Sequence, residues 1–430
     1  MTPVPAIVLI LLLALLEAPL FLVIAALSLV CLFAESGDWL ALQTVVIEMN
    51  RLAAMPVLVA LPLFTLTGVL LTETGAPRRV LRLVEALVGW LPGGLAMAAL
   101  AACALFTALT GASGVTIVAI GALLYPMLRE QRYPETFSLG LLTTAGSLGL
   151  LFPPSLPVIL YGLVAQVEIA QLFKAALLPG VLLMAVLAAY AFFVRRRQIR
   201  RGEELPRPVH GGFKPVLAAF RAGIWEWPIA VFILGGIYGG WVTIAEVSAV
   251  VLVYVILAEG LVLKEIDLFR QLPGIMVEAA KLSGAIMLIL AMALGFTGYL
   301  VDARIPDQLL QVLTALTDNR YLFLAGLNCF LLAAGCIMDV FSAIVIIVPI
   351  IVPVAVSYGI DPIHLGVIFL VNLEIGYSTP PVGINLFIAS LRFDRPITLL
   401  YRASVPYLVL MLVVLLLVTY LPGLSQWLLS

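Results

Sequence analysis

The oxygen-bearing and helix-breaking residues of this chain fall into four short clusters set in apolar sequence. Two are in the first half: Gly111-Ala112-Ser113-Gly114-Val115-Thr116 and Gly149-Leu150-Leu151-Phe152-Pro153-Pro154-Ser155. Two are in the second: Gly335-Cys336-Ile337-Met338-Asp339-Val340-Phe341-Ser342 and Gly376-Tyr377-Ser378-Thr379-Pro380-Pro381, with Asn385 one turn further on. Gly and Pro take backbone out of helical hydrogen bonding, and the hydroxyls, the amide and the Asp339 carboxylate add side-chain oxygen. Cys336, like Cys31, Cys103 and Cys329, reads as a small hydrophobe in an apolar run with no metal or redox spacing. Oxygen alone suits a hard cation such as Na⁺. Helix N-termini, which carry roughly half a positive charge each, suit an anionic group. This is a chemistry of binding. An intramembrane enzyme needs paired carboxylates or a Ser/His arrangement, and the sequence offers neither spacing.

The clusters correspond in pairs. The chain's two Pro-Pro dipeptides, the glycines before them and a proline further upstream share one offset, since 353 − 126, 376 − 149, 380 − 153 and 381 − 154 all equal 227. Thr67-Gly68 and Thr297-Gly298 match at 297 − 67 = 230, and Pro77 and Pro306 at 306 − 77 = 229. Broken apolar segments at corresponding points of two halves point to the binding site of a secondary transporter.

The elements that must position these clusters are membrane helices. The composition is 63% hydrophobic and 11% charged, with a mean hydropathy of +1.18, far outside soluble usage. Apolar runs such as 245–263 and 405–421, and 181–194 with its flanks, approach the roughly 20 residues that span a bilayer as helix. A membrane β-barrel would show alternating segments of about ten residues instead. The lipid bilayer is therefore a partner, and nothing points to nucleic acid. The apolar run 6–33 has no Lys or Arg before Glu17 and is expected to be a retained first helix.

Basic residues set the expected topology through the positive-inside rule. The run Arg195-Arg196-Arg197-Gln198-Ile199-Arg200-Arg201 and the polar stretch after it form the clearest cytoplasmic loop. Counting from it, residues 1–194 form a first repeat half, with a re-entrant hairpin at about 93–127 and a broken helix at 137–167. Residues 195–241 form the loop and an extra helix. Residues 242–430 form a second, inverted half, with a hairpin at about 321–356 and a broken helix at 363–391. Under this topology Arg51, Lys174, Arg304 and Arg320 are the only ones of the 23 basic residues outside the cytoplasm. The N-terminus is then cytoplasmic and the C-terminus periplasmic. The expected fold is an all-α polytopic membrane protein with an inverted-topology repeat, two re-entrant hairpins and two broken helices.

Non-helical backbone at bilayer depth must be buried in protein or line a wet cavity. The tip at Ser113, Gly114 and Thr116 should therefore meet the break at Gly149, Pro153, Pro154 and Ser155. Likewise Asp339 and Ser342 should meet Gly376, Ser378, Thr379, Pro380 and Pro381. Pro154 and Pro381 are expected in the first turn of the helices they start, where the missing N–H costs nothing. For each hydroxyl the alternative is an ordinary bond to the i−4 carbonyl. For Asp339 it is a helix N-cap, and Asn385 either caps or lines the cavity. Glu374 is an ionisable group at membrane depth, with a functional and a paired structural reading equally open. His210 lies in the cytoplasmic loop and His364 near the outer surface, so neither suits a buried catalyst.

Gly149-Leu-Leu-Phe-Pro-Pro-Ser155, Gly359-Ile-Asp-Pro-Ile-His364 and Val371-Asn-Leu-Glu-Ile-Gly-Tyr-Ser-Thr-Pro-Pro-Val-Gly-Ile-Asn-Leu-Phe387 closely resemble the large membrane subunit of tripartite ATP-independent periplasmic (TRAP) transporters. Gly239-Gly-Trp-Val-Thr-Ile-Ala-Glu246 is similar to the family's segment at that point. The resemblance implies Na⁺-driven uptake of an organic acid, such as a C4-dicarboxylate or a keto or sugar acid, across the bacterial inner membrane by an elevator motion. It implies a periplasmic substrate-binding protein and a small four-helix membrane subunit as partners, with Na⁺ as coupling ion and no covalent cofactor. It places Na⁺ sites at Ser113, Gly149 and Pro153 and at Asp339, Gly376 and Thr379, with substrate between them. The alternative is a stand-alone Na⁺/dicarboxylate symporter of related architecture that works without a binding protein.

Overall fold

The computed structural model describes residues 20–36, 43–202 and 223–429, with residues 10, 217, 218, 220 and 221. His210 and most of the expected first helix fall outside them. All regular secondary structure among the described residues is helical, with no strand. The helices are α1 (Leu20–Ser36), α2 (Gln43–Ala53), α3 (Ala60–Thr72), α4 (Ala76–Val88), α5 (Gly94–Thr110), α6 (Ser113–Glu130), α7 (Glu135–Ala145), α8 (Leu156–Ala165) and α9 (Ile169–Arg200). After the central stretch come α10 (Trp227–Gly239), α11 (Ile244–Val255), α12 (Leu272–Asp302), α13 (Ile305–Leu316), α14 (Arg320–Ile337), α15 (Val340–Ser357), α16 (Pro362–Gly376), α17 (Ile384–Phe393) and α18 (Ile397–Tyr420). Among the described residues six helices are long and apolar enough to cross a membrane, or up to eight if each bent pair is one span. The chain is a multi-pass helical membrane protein.

Local sequence explains where several helices begin. Thr243 and Glu246 form a capping box at the start of α11: the Thr243 hydroxyl accepts from the Glu246 N–H, and the Glu246 carboxylate accepts from the Thr243 N–H at 2.7 Å. Asp361 caps α16 by accepting from the N–H groups of Ile363 and His364 at 2.9 and 3.0 Å, with Pro362 in the first turn.

Two helices have no counterpart in the sequence reading, and one boundary differs. Ile305–Leu316 forms helix α13. Arg78, Arg79 and Arg82 lie on helix α4, whose Val80 and Leu81 are buried while Arg78 is exposed. The first break opens early: α7 ends at Ala145, and Gly149 lies in a separate 3₁₀ turn, Leu148–Leu151. His364 is buried at 1% exposure, with Nδ1 2.6 Å from the Ser425 hydroxyl.

Two helix sets follow from the packing. Helix α12 lies against α1, α2 and α3, and α11 packs on α3 and α10. The other set holds the breaks, and its elements interlock. Helix α6 packs on α17, and α15 packs on α8, so the second arm of each helix pair lies against the helix that follows the other break.

Candidate functional site

Each tip is built by residues that stop a helix and immediately start another. Helix α5 ends at Thr110, Gly111 turns with a left-handed φ of 66°, and α6 begins at Ser113. A side chain at Gly111 would strike Leu156 at 2.7 Å, so the tip sits directly on the start of α8, beyond the first break. In the second half, α14 ends at Ile337 and α15 starts at Val340, capped by Asp339.

The first tip meets the first break through a chain of hydroxyls. The Thr107 and Thr116 oxygens are 2.7 Å apart, and Thr107 donates to the Gly146 carbonyl at 2.7 Å. With its one proton so placed, Thr107 accepts from Thr116. Gly149 presses backbone against α5: a Cβ there would lie 2.2 Å from the Ala104 carbonyl oxygen and 2.4 Å from the Ala108 nitrogen. Pro153, Pro154 and Ser155 are buried, and the Ser155 hydroxyl has no hydrogen-bond partner. Gly114 is half-buried beside Ile388 of α17.

The second tip meets the second break the same way. A Cβ on Gly376 would lie 2.6 Å from the Gly335 carbonyl carbon, so the two backbones touch. The Tyr377 hydroxyl accepts from the Val340 N–H, and the Gly383 N–H donates to the Cys336 carbonyl at 3.0 Å. Gly383 has φ 50°, and the position its Cβ would fill lies 2.7 Å from the Thr379 and 3.0 Å from the Tyr377 carbonyl oxygen. Backbone oxygens thus converge beside this break.

These contacts extend to the other candidate residues. Asp339 is an N-cap: one carboxylate oxygen accepts from the Phe341 and Ser342 N–H groups at 3.0 and 3.1 Å, and the other accepts from the Ser342 hydroxyl. The Thr379 hydroxyl donates to the Ile375 carbonyl at 2.8 Å, the ordinary i−4 bond. The Ser378 hydroxyl is buried without a partner. Asn385 does not cap α17, whose cap residue is Gly383: its side-chain oxygen accepts from the Ser113 hydroxyl at 2.7 Å, and its NH₂ donates to the Thr143 carbonyl at 3.4 Å. The two halves are joined at this residue.

Pro154 and Pro381 are not in a first turn. Helix α8 starts at Leu156 with Ser155 as its cap, and α17 starts at Ile384 after Gly383. Ser155 has the extended ψ of 124° of a cap residue, which bars helix at or before it. Pro157 and not Pro154 takes the early helical position. Both Pro-Pro peptide bonds are cis.

Sequence reasoning missed Thr107, Gly146, Tyr377 and Gly383. Thr107 lies one turn before Gly111, the only signal it gave. It also missed Arg79, whose guanidinium donates to the carboxylates of Glu226, Glu259 and Glu265, the last two at 2.5 Å each.

Non-helical backbone buried at two helix breaks, in a protein that crosses a membrane several times, is tolerated only inside protein or beside a wet cavity. The sequence model of the tripartite ATP-independent periplasmic transporter, DctM component, matches residues 7–424, and the chain belongs to this family as a large membrane subunit. It is 38% identical over 368 residues to the C4-dicarboxylate TRAP transporter large permease protein DctM of Pseudomonas aeruginosa, a match covering 86% of this chain and 85% of that one. It is 34% identical to the isethionate TRAP transporter permease protein DctMQ of Oleidesulfovibrio alaskensis, covering 89% of this chain and 59% of that one. The crystal structure of the YdaH transporter of Alcanivorax borkumensis, described as having an unusual topology, shares the fold with a TM-score of 0.64 over 90% of both chains at 16% identity.

Proposed function

We propose that this chain forms the permeation pathway for Na⁺-driven uptake of an organic anion across the bacterial inner membrane. A periplasmic binding protein delivers the substrate, and a small four-helix membrane subunit partners the chain. The C4-dicarboxylate and isethionate named for its relatives, a carboxylate and a sulfonate, are both small organic anions, so a small organic acid such as a carboxylate is the substrate class. The two tips and two breaks bind the ions and the anion near the bilayer midplane, and the interlocked set slides as an elevator past α3, α11 and α12.

The observation that carries the reading is the cross-half packing of α6 on α17 and α15 on α8. It brings both tips and both breaks into one core, as an inverted repeat with a central site requires. The chemistry fits Na⁺: the unpartnered Ser155 and Ser378 hydroxyls and the carbonyls converging beside Gly383 are oxygen ligands. The starts of α6 and α8 present helix N-termini that favour an anion, whereas the first N–H groups of α15 are taken by Asp339 and Tyr377. Arg395 pairs with Glu135 at 2.6 Å and Arg195 donates to the Gln131 carbonyl at 2.8 Å, each pair on one side of the membrane as the proposed topology has it.

Proteoliposomes holding the chain and its small subunit test the partnership. Uptake of radiolabelled succinate, or of the ligand found on the purified binding protein, should require that protein. Uptake at an equal rate without it would refute this reading in favour of the stand-alone symporter.

A further inference from the structure

Glu374 lies in α16, two residues before the helix ends at Gly376, and is fully buried. Neither of its carboxyl oxygens has a hydrogen-bond partner, and none of the ion pairs among the described residues includes it. Asp339, the other carboxylate of the second half-site, has both oxygens engaged in capping α15. The Ser378 hydroxyl, one turn beyond Glu374, is buried and also without a partner. A buried carboxylate without a donor or counter-charge is not tolerated. The end of a helix, with its freed carbonyls, makes an anion there worse and a cation better.

The repeat makes the feature one-sided. The position that matches Glu374 at the 227-residue offset (374 − 227 = 147) is Ser147, whose hydroxyl is used on the Thr144 carbonyl at 3.1 Å. The first half-site therefore has no carboxylate at this place.

Resting on the sodium reading above, we propose that Glu374 is the counter-charge of the cation held at the second break, with the Ser378 hydroxyl as a neighbouring oxygen, and that Asp339 is not. The two cation sites are then unequal: the first is a neutral set of hydroxyls and carbonyls, the second a charged one. Site charge sets cation affinity, so the second site fills at lower Na⁺ and the first sets the Na⁺ dependence at high concentration.

The test is Na⁺-induced thermal stabilisation of the purified complex with its small subunit, titrated against choline without substrate. Wild type should show a high-affinity phase. In Glu374→Gln that phase should move by at least about tenfold to higher Na⁺, and Glu374→Asp should restore part of the affinity. Should Glu374→Gln not fold, Glu374→Asp alone carries the test, through a raised half-saturating Na⁺ with substrate KM at saturating Na⁺ unchanged. A Glu374→Gln titration that overlays wild type overturns the proposal and leaves Glu374 a neutral acid. If wild type itself shows no response to Na⁺, the sodium reading fails, and this assignment falls with it.

Discussion

The Ser113 hydroxyl donates to the Asn385 side-chain oxygen at 2.7 Å, joining the first tip to the helix after the second break across 272 positions of sequence. Both residues are buried, with Asn385 at 0% exposure. Ser113→Ala leaves a buried amide oxygen short of a donor, which costs about 1–3 kcal/mol. Asn385→Ala should cost a similar amount, and the double variant should be less destabilised than the sum by about 1 kcal/mol. Thermal unfolding of the four proteins in detergent checks this. Strict additivity would mean that the bond is not made in solution.

Gly376→Ala should be severe. Its new Cβ would lie 2.6–2.7 Å from Gly335 backbone, which has no flexible side chain to move aside. Overpacking of this kind costs about 1–3 kcal/mol, and transport should fall more steeply than stability because the second tip is pushed off its break. Gly326→Ala in α14, where nothing lies within 4 Å, should be neutral or stabilising by up to about 1 kcal/mol. Uptake and unfolding measured on both variants separate local crowding from general sensitivity to alanine.

Asp339 distinguishes a cap from an ion ligand. Asp339→Ser keeps an acceptor for the α15 N–H groups and should retain most of the stability, whereas Asp339→Ala should lose about 1 kcal/mol. If capping is its whole role, Asp339→Ser should also keep the Na⁺ dependence of wild type. A large rise in half-saturating Na⁺ for Asp339→Ser would return the carboxylate to the ion site.

Arg79 ties α4 to three carboxylates, and Glu259 among them is only 3% exposed. The Gly75 N–H also donates to Glu265 at 2.5 Å, so the turn before α4 is fixed to the same cluster. Removing one partner of a fully buried charge pair costs about 3–5 kcal/mol, and less here because Glu265 is about a third exposed. Arg79→Gln should therefore be among the most destabilising changes outside the binding core, and Glu259→Gln added to it should recover part of the loss. An unfolding midpoint for Arg79→Gln equal to wild type would show the cluster to be solvated.

Much of this arrangement was legible from residue types. The offset of the Pro-Pro pairs located both breaks, and the glycines located both tips, because Gly and Pro grouped within a few residues stop the helix there, where a single Pro such as Pro126 does not. What escaped were features without a long apolar run. Helix α4 hides among Arg78, Arg79 and Arg82, since a short helix with one charged face looks like a basic loop to a search for spans; only Ala76, Pro77, Val80 and Leu81 of it are buried. Helix α13 escaped for the same reason. The early end of α7 at Ala145 was not legible, because the partner of the Gly146 carbonyl, the Thr107 hydroxyl, lies 39 positions away in sequence. Partners distant in sequence, such as Ser113 with Asn385 or Arg79 with Glu226, leave no local mark.

The central claim is that two cation sites, one at each break, flank one anion site. The initial rate of anion uptake into proteoliposomes, measured against external Na⁺ at fixed membrane potential with the binding protein present, tests it most directly. The expected curve is sigmoidal, with a Hill coefficient above about 1 and no higher than about 2, the number of sites, and uptake ceases when K⁺ or choline replaces Na⁺. Uptake that is unchanged in K⁺, or that rises hyperbolically with Na⁺ down to the lowest concentrations, would contradict it.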